Sequence, residues 1–187
     1  GDETWLQWVI EDRFVAGRPA LERVGVQLVD SVEPYEDAKL RVLNGSHSGL
    51  AWAGTLAGVT TIDAAITRPA IRQLVEAYVT DDVIPALTTG RVSPVDLPRY
   101  RDAVFARFGN AAIRDTVQRV AADGFAKLPV FLAPTVDERL REGGAVDATG
   151  ALVALFLAFL QRWRMAALPY VYQDQAMDPV LAREICD

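Results

Sequence analysis

A chain of 187 residues, 51% of them hydrophobic and 24% charged, is long enough for one substantial core and too apolar to stay disordered. Its net charge of -6, with 19 basic residues scattered among 25 acidic ones, excludes the basic stripe of a nucleic-acid-binding surface. A single histidine and a single cysteine, Cys186, exclude an internal disulfide and leave any zinc site to carboxylates, so no metal is expected.

A lone thiol fits a reducing, cytoplasmic setting. The sequence does not open with a basic stretch followed by an apolar one, so no secretory leader is expected. The longest apolar run, ALVALFLAFL at 151–160, is too short to span a bilayer and reads as a buried helix, so no membrane partner is expected.

In chain order, TWLQWVIEDRF and VGVQLVD are short β-branched or aromatic runs that read as two strands with little to pair with. From Glu33-Pro34 the texture becomes helical. The patterns predict helices over 35–56, 61–67, 69–87, 96–108, 111–122, 136–142, 148–167 and 179–185. Thr61 and Asp178-Pro179 supply start signals, and Gly109-Asn110, Gly124 and Gly143-Gly144 mark breaks. Trp5, Trp8, Trp52 and Trp163 read as core. Arg162 and Arg164 suit the C-terminal end of an apolar helix, and YVYQDQ reads as a loop packing its tyrosines inward. Arg119 and Lys127, by themselves, read as solvated.

The first long helix is the unusual one. With Lys39 set at zero on an ideal α-helix, Glu36 falls at roughly 60°, His47 at roughly 80° and Asn44 at roughly 140°. Leu40, Leu43 and Leu50 share that arc, while Gly45, Ser46, Gly49 and Ala53 form a small-residue side suited to close approach by another helix. A lysine among leucines must be paired, for instance with Glu36, or lose affinity for its proton. In the latter case it can act as a general base, with a nearby amide donating to a developing oxyanion. A satisfied polar set at a helix contact has the same spacing, and geometry leaves both readings open.

The stretch KLRVLNGSHSGLAW resembles the signature of the polyol-specific long-chain dehydrogenase/reductase family, which includes mannitol and arabinitol dehydrogenases and fructuronate and tagaturonate reductases. WVIEDRFVAGRPALERVGVQLVDSVEPYEDAK, RFGNAAIRDTVQRVAADGFAKLPVF and LPYVYQDQAMDP resemble further blocks of that family, in its order. The resemblance implies a mainly α, multi-helical C-terminal domain over 34–187, preceded at 1–33 by the tail of an N-terminal Rossmann dinucleotide-binding domain. It implies a metal-independent enzyme using NAD or NADP to interconvert a sugar alcohol and its ketose. In that family pattern Lys39 is the general base and Asn44 is half of an oxyanion-binding pair. His47 positions the substrate oxygen, Glu36 moves protons to or from the lysine, and Arg119 and Lys127 contact substrate hydroxyls.

Two departures stand out. No G-x-G-x-x-G follows a predicted strand, so the dinucleotide cradle is expected in another part of the same polypeptide. Some relatives carry a histidine where this chain has Ala122. A sugar-acid oxidoreductase and a non-catalytic helical interaction module, docking through 148–167, are the alternatives.

Overall fold

The structure, a computed structural model, describes residues 7–89 and 93–185. Trp5 and Cys186 lie outside the described residues.

Strands β1 (Val9–Glu11) and β2 (Gln27–Val29) pair with each other in parallel, Val9 opposite Gln27. The expected pair of strands is present, but they are partners. Between them a 3-10 turn, Leu21–Val24, ends at Gly25 with φ 87°. Because a two-stranded ribbon buries little, Trp8 is 56% exposed rather than in the core, which corrects its expected placement.

The rest is helical, as the patterns predict. An unbroken helical rod opens it: α1 (Glu33–Ala38), a π-helix (Lys39–Gly45) and α2 (Ser46–Leu56). Helices α3 (Ile62–Ile66) and α4 (Pro69–Ala77) follow, then a second π-helix (Tyr78–Val83) leading into α5 (Ile84–Thr88). Helix α6 (Leu97–Phe108) is capped by Asp96, whose carboxylate accepts from the Arg99 N–H at 3.2 Å. Next come a 3-10 turn (Ala111–Ile113), α7 (Val117–Ala121) and α8 (Gly124–Lys127). A third π-helix (Leu128–Leu132) precedes α9 (Ala133–Arg141), α10 (Asp147–Arg164) and α11 (Pro179–Ile185).

Two expectations need correction. The single helix predicted over 111–122 is broken, because Arg114 turns into the left-handed region at φ 53° and Thr116 starts a new helix by accepting from the Arg119 N–H. Thr61 makes no side-chain cap. Its backbone is extended and forms an antiparallel bridge to Thr116, which ties α3 to α7.

Helix α2 is the axis of the core, with every residue from Ser48 to Thr55 buried. A helix apolar on all sides must be enclosed, and α3, α4, α7 and α10 pack around it. Trp52 is fully buried against Phe156 of α10, ring centroids 4.8 Å apart. The small-residue side does what its composition suggests. A Cβ on Gly49 would lie 2.8 Å from Leu152, and one on Gly45 would lie 2.3 Å from the Tyr78 hydroxyl.

That hydroxyl links the three π-helices. Tyr78, fully buried in the second, donates to the Arg41 carbonyl of the first at 3.0 Å and faces the Phe131 carbonyl of the third at 3.4 Å. Arg41, also buried, forks onto both carboxylate oxygens of Glu138 on α9, with Nη2 donating to Oε1 at 2.9 Å and Nη1 to Oε2. The loop after α10 packs its tyrosines inward as expected. Tyr170 shares a 2.6 Å hydrogen bond with Thr55, and Tyr172 donates to Asp174 at 2.6 Å.

Candidate active site

A cleft of about 350 Å³ opens beside the helical rod. Lys39, Leu43, Asn44 and His47 form one wall, and α3 contributes Ile62 and Asp63. The end of α6 and the turn after it supply Arg107, Phe108, Asn110 and Ile113, while Asp115 and Arg119 close the side nearest α7.

The π-helix explains how Lys39 and Asn44 come to share a wall. On an α-helix, residues five apart point roughly 140° away from each other. A π-helix joins residue i to i+5, so residues five apart stack one above the other. Lys39 and Asn44 are five apart, at the two ends of that span. One widened turn thus brings together two side chains that an ordinary helix would separate.

The leucine-lined burial expected for Lys39 is not observed: Lys39 is exposed, and Leu40 and Leu43 are only half-buried. Lys39 shares its wall with Leu43, but that wall faces an open cleft, which leaves the ammonium in reach of water. Glu36, one turn earlier, is exposed and does not line the cleft.

His47 is held more tightly. Its ring lies against Phe108 at a centroid distance of 4.9 Å, and its Nε2 is 3.1 Å from Asp115 Oδ2. That nitrogen is buried and not aligned for a proper hydrogen bond, so the contact is close but poorly directed. Burial pushes the imidazole pKa down from 6.5 to about 4. The Arg119 and Lys127 cations act in the same direction, and Asp115 only partly opposes them. The ring is therefore neutral at physiological pH and can act as a hydrogen-bonding group towards a hydroxyl.

A neutral buried histidine has a consequence for stability. Its folded pKa lies below the ordinary value, so its contribution is complete above pH 6.5 and is lost as pH falls towards about 4. His47→Gln should therefore flatten the loss of stability across that window, as followed by denaturant unfolding. An unchanged slope would show that His47 is not the group being protonated.

Asp115 was not anticipated from the sequence. Burial raises its pKa, but Arg119 and His47 outweigh this and hold the carboxyl below its usual range. Arg119 Nε donates to Oδ1 at 2.7 Å and Nη2 to Oδ2 at 2.5 Å. The signal was present in the i, i+4 spacing of Asp115 and Arg119, on the same face of a helical turn. Lys127 stands behind the cleft rather than on its lining. It donates from Nζ to the Val120 carbonyl at 2.6 Å, and burial lowers its pKa. Of the six residues singled out, the structure brings Lys39, Asn44, His47 and Arg119 into one cleft; Lys127 and Glu36 remain outside its lining.

The described residues thus form a helical bundle with a polar cleft beside its first rod. Residues 31–187 match the mannitol dehydrogenase C-terminal domain, and the chain belongs to that family. It is 55% identical over 185 residues to D-arabinitol 4-dehydrogenase of Ralstonia nicotianae, covering 99% of this chain and 39% of that protein. With D-arabinitol 4-dehydrogenase of Klebsiella pneumoniae it shares 49% identity over 183 residues, 98% of this chain and 40% of that protein. The chain thus spans about two fifths of the length of these relatives. Its fold is similar to that of a substrate-free D-sorbitol dehydrogenase (TM-score 0.86, 32% identity), over 97% of this chain and 37% of that one. It is also similar to Pseudomonas fluorescens mannitol 2-dehydrogenase in its ternary complex with NAD and D-mannitol. There the TM-score is 0.80 and the identity 35%, over 97% of this chain and 36% of that one.

Proposed function

We propose that this chain is the catalytic half of an NAD- or NADP-dependent polyol dehydrogenase that interconverts a sugar alcohol and its ketose in the cytoplasm. Residues 34–187 form the substrate-binding domain, and 1–33 are the tail of a preceding dinucleotide-binding domain. The observation that carries this reading is the placement of Lys39, Asn44 and His47 along one wall of one cleft. The arabinitol and mannitol dehydrogenases among its relatives point to a neutral polyol.

Among the described residues, the glycine-rich stretch after Lys39 does not form a dinucleotide cradle. The glycines of GSHSGLAWAGTLAG lie largely inside α2, where Gly49 and Gly54 pack against Leu152 and Val117. The coenzyme, which accepts hydride from the alcohol carbon, belongs to the dinucleotide-binding domain of this reading. This chain handles the hydroxyl. Lys39 in its neutral form takes the hydroxyl proton, and Glu36, one turn away and open to water, passes protons to and from it. Asn44 donates to the oxygen as negative charge develops there. His47 holds that oxygen in register, while Arg119 meets hydroxyls further along the substrate and Lys127 stays outside the lining, on the Val120 carbonyl.

Arg107 favours one second reading. It is a further cation on the cleft lining, the kind of group a sugar-acid carboxylate needs. A panel of arabinitol, mannitol, mannonate and altronate, offered with each coenzyme to the complete protein, decides between them. Oxidation of a neutral polyol is expected. Turnover of the acids alone would establish the sugar-acid reading, and turnover of none would overturn both.

A further inference from the structure

The roles above leave two carboxylates of the cleft lining unused, Asp63 and Asp115, and Asp115 is the one that reaches Arg119 and His47. Asp115 stands in the break before α7 with its side chain only 12% exposed. Its backbone is pinned from two directions. Its carbonyl accepts from the Ile62 N–H at 3.0 Å, and the neighbouring Thr116 bridges to Thr61. A carboxylate on so fixed a backbone has little freedom to move.

Its two oxygens reach the two cleft side chains that face the substrate from this wall. Arg119 forks onto both of them, and Oδ2 also lies 3.1 Å from His47 Nε2. Arg119 itself is long and 69% exposed, so without this pairing its guanidinium would sample many rotamers. A two-point, charge-assisted pair limits it to one. His47 is trapped between Phe108 on its face and Asp115 at its edge.

We infer that Asp115 is a positioning residue of the polyol site: its carboxylate holds the Arg119 guanidinium and the His47 ring in one fixed relation. The spacing between two points of contact on the substrate is thereby set by the Thr61–Thr116 bridge rather than by flexible side chains. This inference rests on the polyol dehydrogenase reading. It assigns Asp115 no contact with substrate and no proton to transfer.

The test uses the complete enzyme. Asp115→Asn keeps the volume and removes the charge, and is expected to raise KM for the polyol about 10- to 100-fold, as loss of charged hydrogen bonds does. The loss in kcat should be smaller, and coenzyme affinity unchanged. In an Arg119→Met background the same substitution should cost far less, because the shared contact is already gone. A second cycle, pairing His47→Gln with Arg119→Met, reads the coupling without touching the carboxylate and stands even if Asp115→Asn fails to fold. Unchanged KM in Asp115→Asn, or additive effects in either cycle, would overturn the inference while leaving the polyol reading intact. An unmodified enzyme that turns over no polyol would overturn both.

Discussion

Alanine at position 39 is expected to lower kcat of the complete dehydrogenase by about 10²- to 10⁴-fold, the range that a positioned general base supplies. Dinucleotide affinity should not change, because the proposed role of Lys39 is towards the substrate hydroxyl and not the coenzyme. The size of the loss follows from geometry. In the alcohol direction a proton must leave the hydroxyl as hydride leaves the carbon, and of the cleft-lining cations Lys39 alone stands one π-repeat from an amide. Arg107 and Arg119 cannot replace it, since a guanidinium does not give up its proton near neutral pH. Raising the pH should restore part of the activity of Lys39→Ala, as hydroxide takes over the proton, and should restore none of that lost in Asn44→Ala. Near-normal kcat in Lys39→Ala, measured by coenzyme reduction, would remove Lys39 from the role of base.

Removing the carboxylate of Glu138 should destabilise the fold by about 3 kcal/mol, the usual cost of stranding one member of a buried ion pair. Glu138 is 97 residues from Arg41 in sequence and is its partner within α9. Burial by itself would lower the Arg41 pKa, and the Glu138 carboxylate more than offsets it. Glu138→Ala therefore leaves a guanidinium that is 6% exposed without its counter-charge. For a domain of this size the loss corresponds to a fall in Tm of roughly 10 °C. Activity should fall below the optimum temperature too, because Arg41 lies within the π-helix that carries Lys39 and Asn44. Replacing Arg41 and Glu138 together by apolar residues should recover most of the stability, since the stranded charge is then gone. Equal Tm values for Glu138→Ala and the unmodified protein would show that the pair contributes nothing to stability.

Much of this arrangement can be read from the residues alone. Repeated apolar spacing predicts most of the helices, and Asp178-Pro179 and the glycine breaks mark several of their ends because capping and turn chemistry are local, whereas Thr61 is drawn into a bridge instead of a cap. The small side of α2 predicts close helix approach, and Gly45 and Gly49 provide it. What cannot be read is the phase of the first rod. The wheel drawn at 100° per residue sets Lys39 and Asn44 roughly 140° apart, whereas the π-helix lets them share one wall of an open cleft. No local residue type announces a π-helix, and its contacts with Tyr78 and Glu138 form only in the folded chain. The same limit applies to Asp115. A continuous helix over 111–122 would have made its pairing with Arg119 an ordinary surface contact. The left-handed Arg114 and the Thr61–Thr116 bridge, both tertiary in origin, place it against His47 instead.

The widened turn at Lys39–Gly45 has a further consequence for how such sequences can change. A π-turn holds one residue more than the α-turn it replaces, so deleting any residue there would let the rod relax to ordinary pitch. Helix α2 is gripped on all sides and could not rotate to compensate. The whole correction would fall on α1 and on Lys39 at its end, swinging that side chain round the rod by about a quarter-turn. The number of residues between Glu33 and Ser46 is therefore as much a part of the chemistry as their identities. Length variation within this family should be confined to segments that do not pass through Tyr78 or the Arg41 and Phe131 carbonyls it meets.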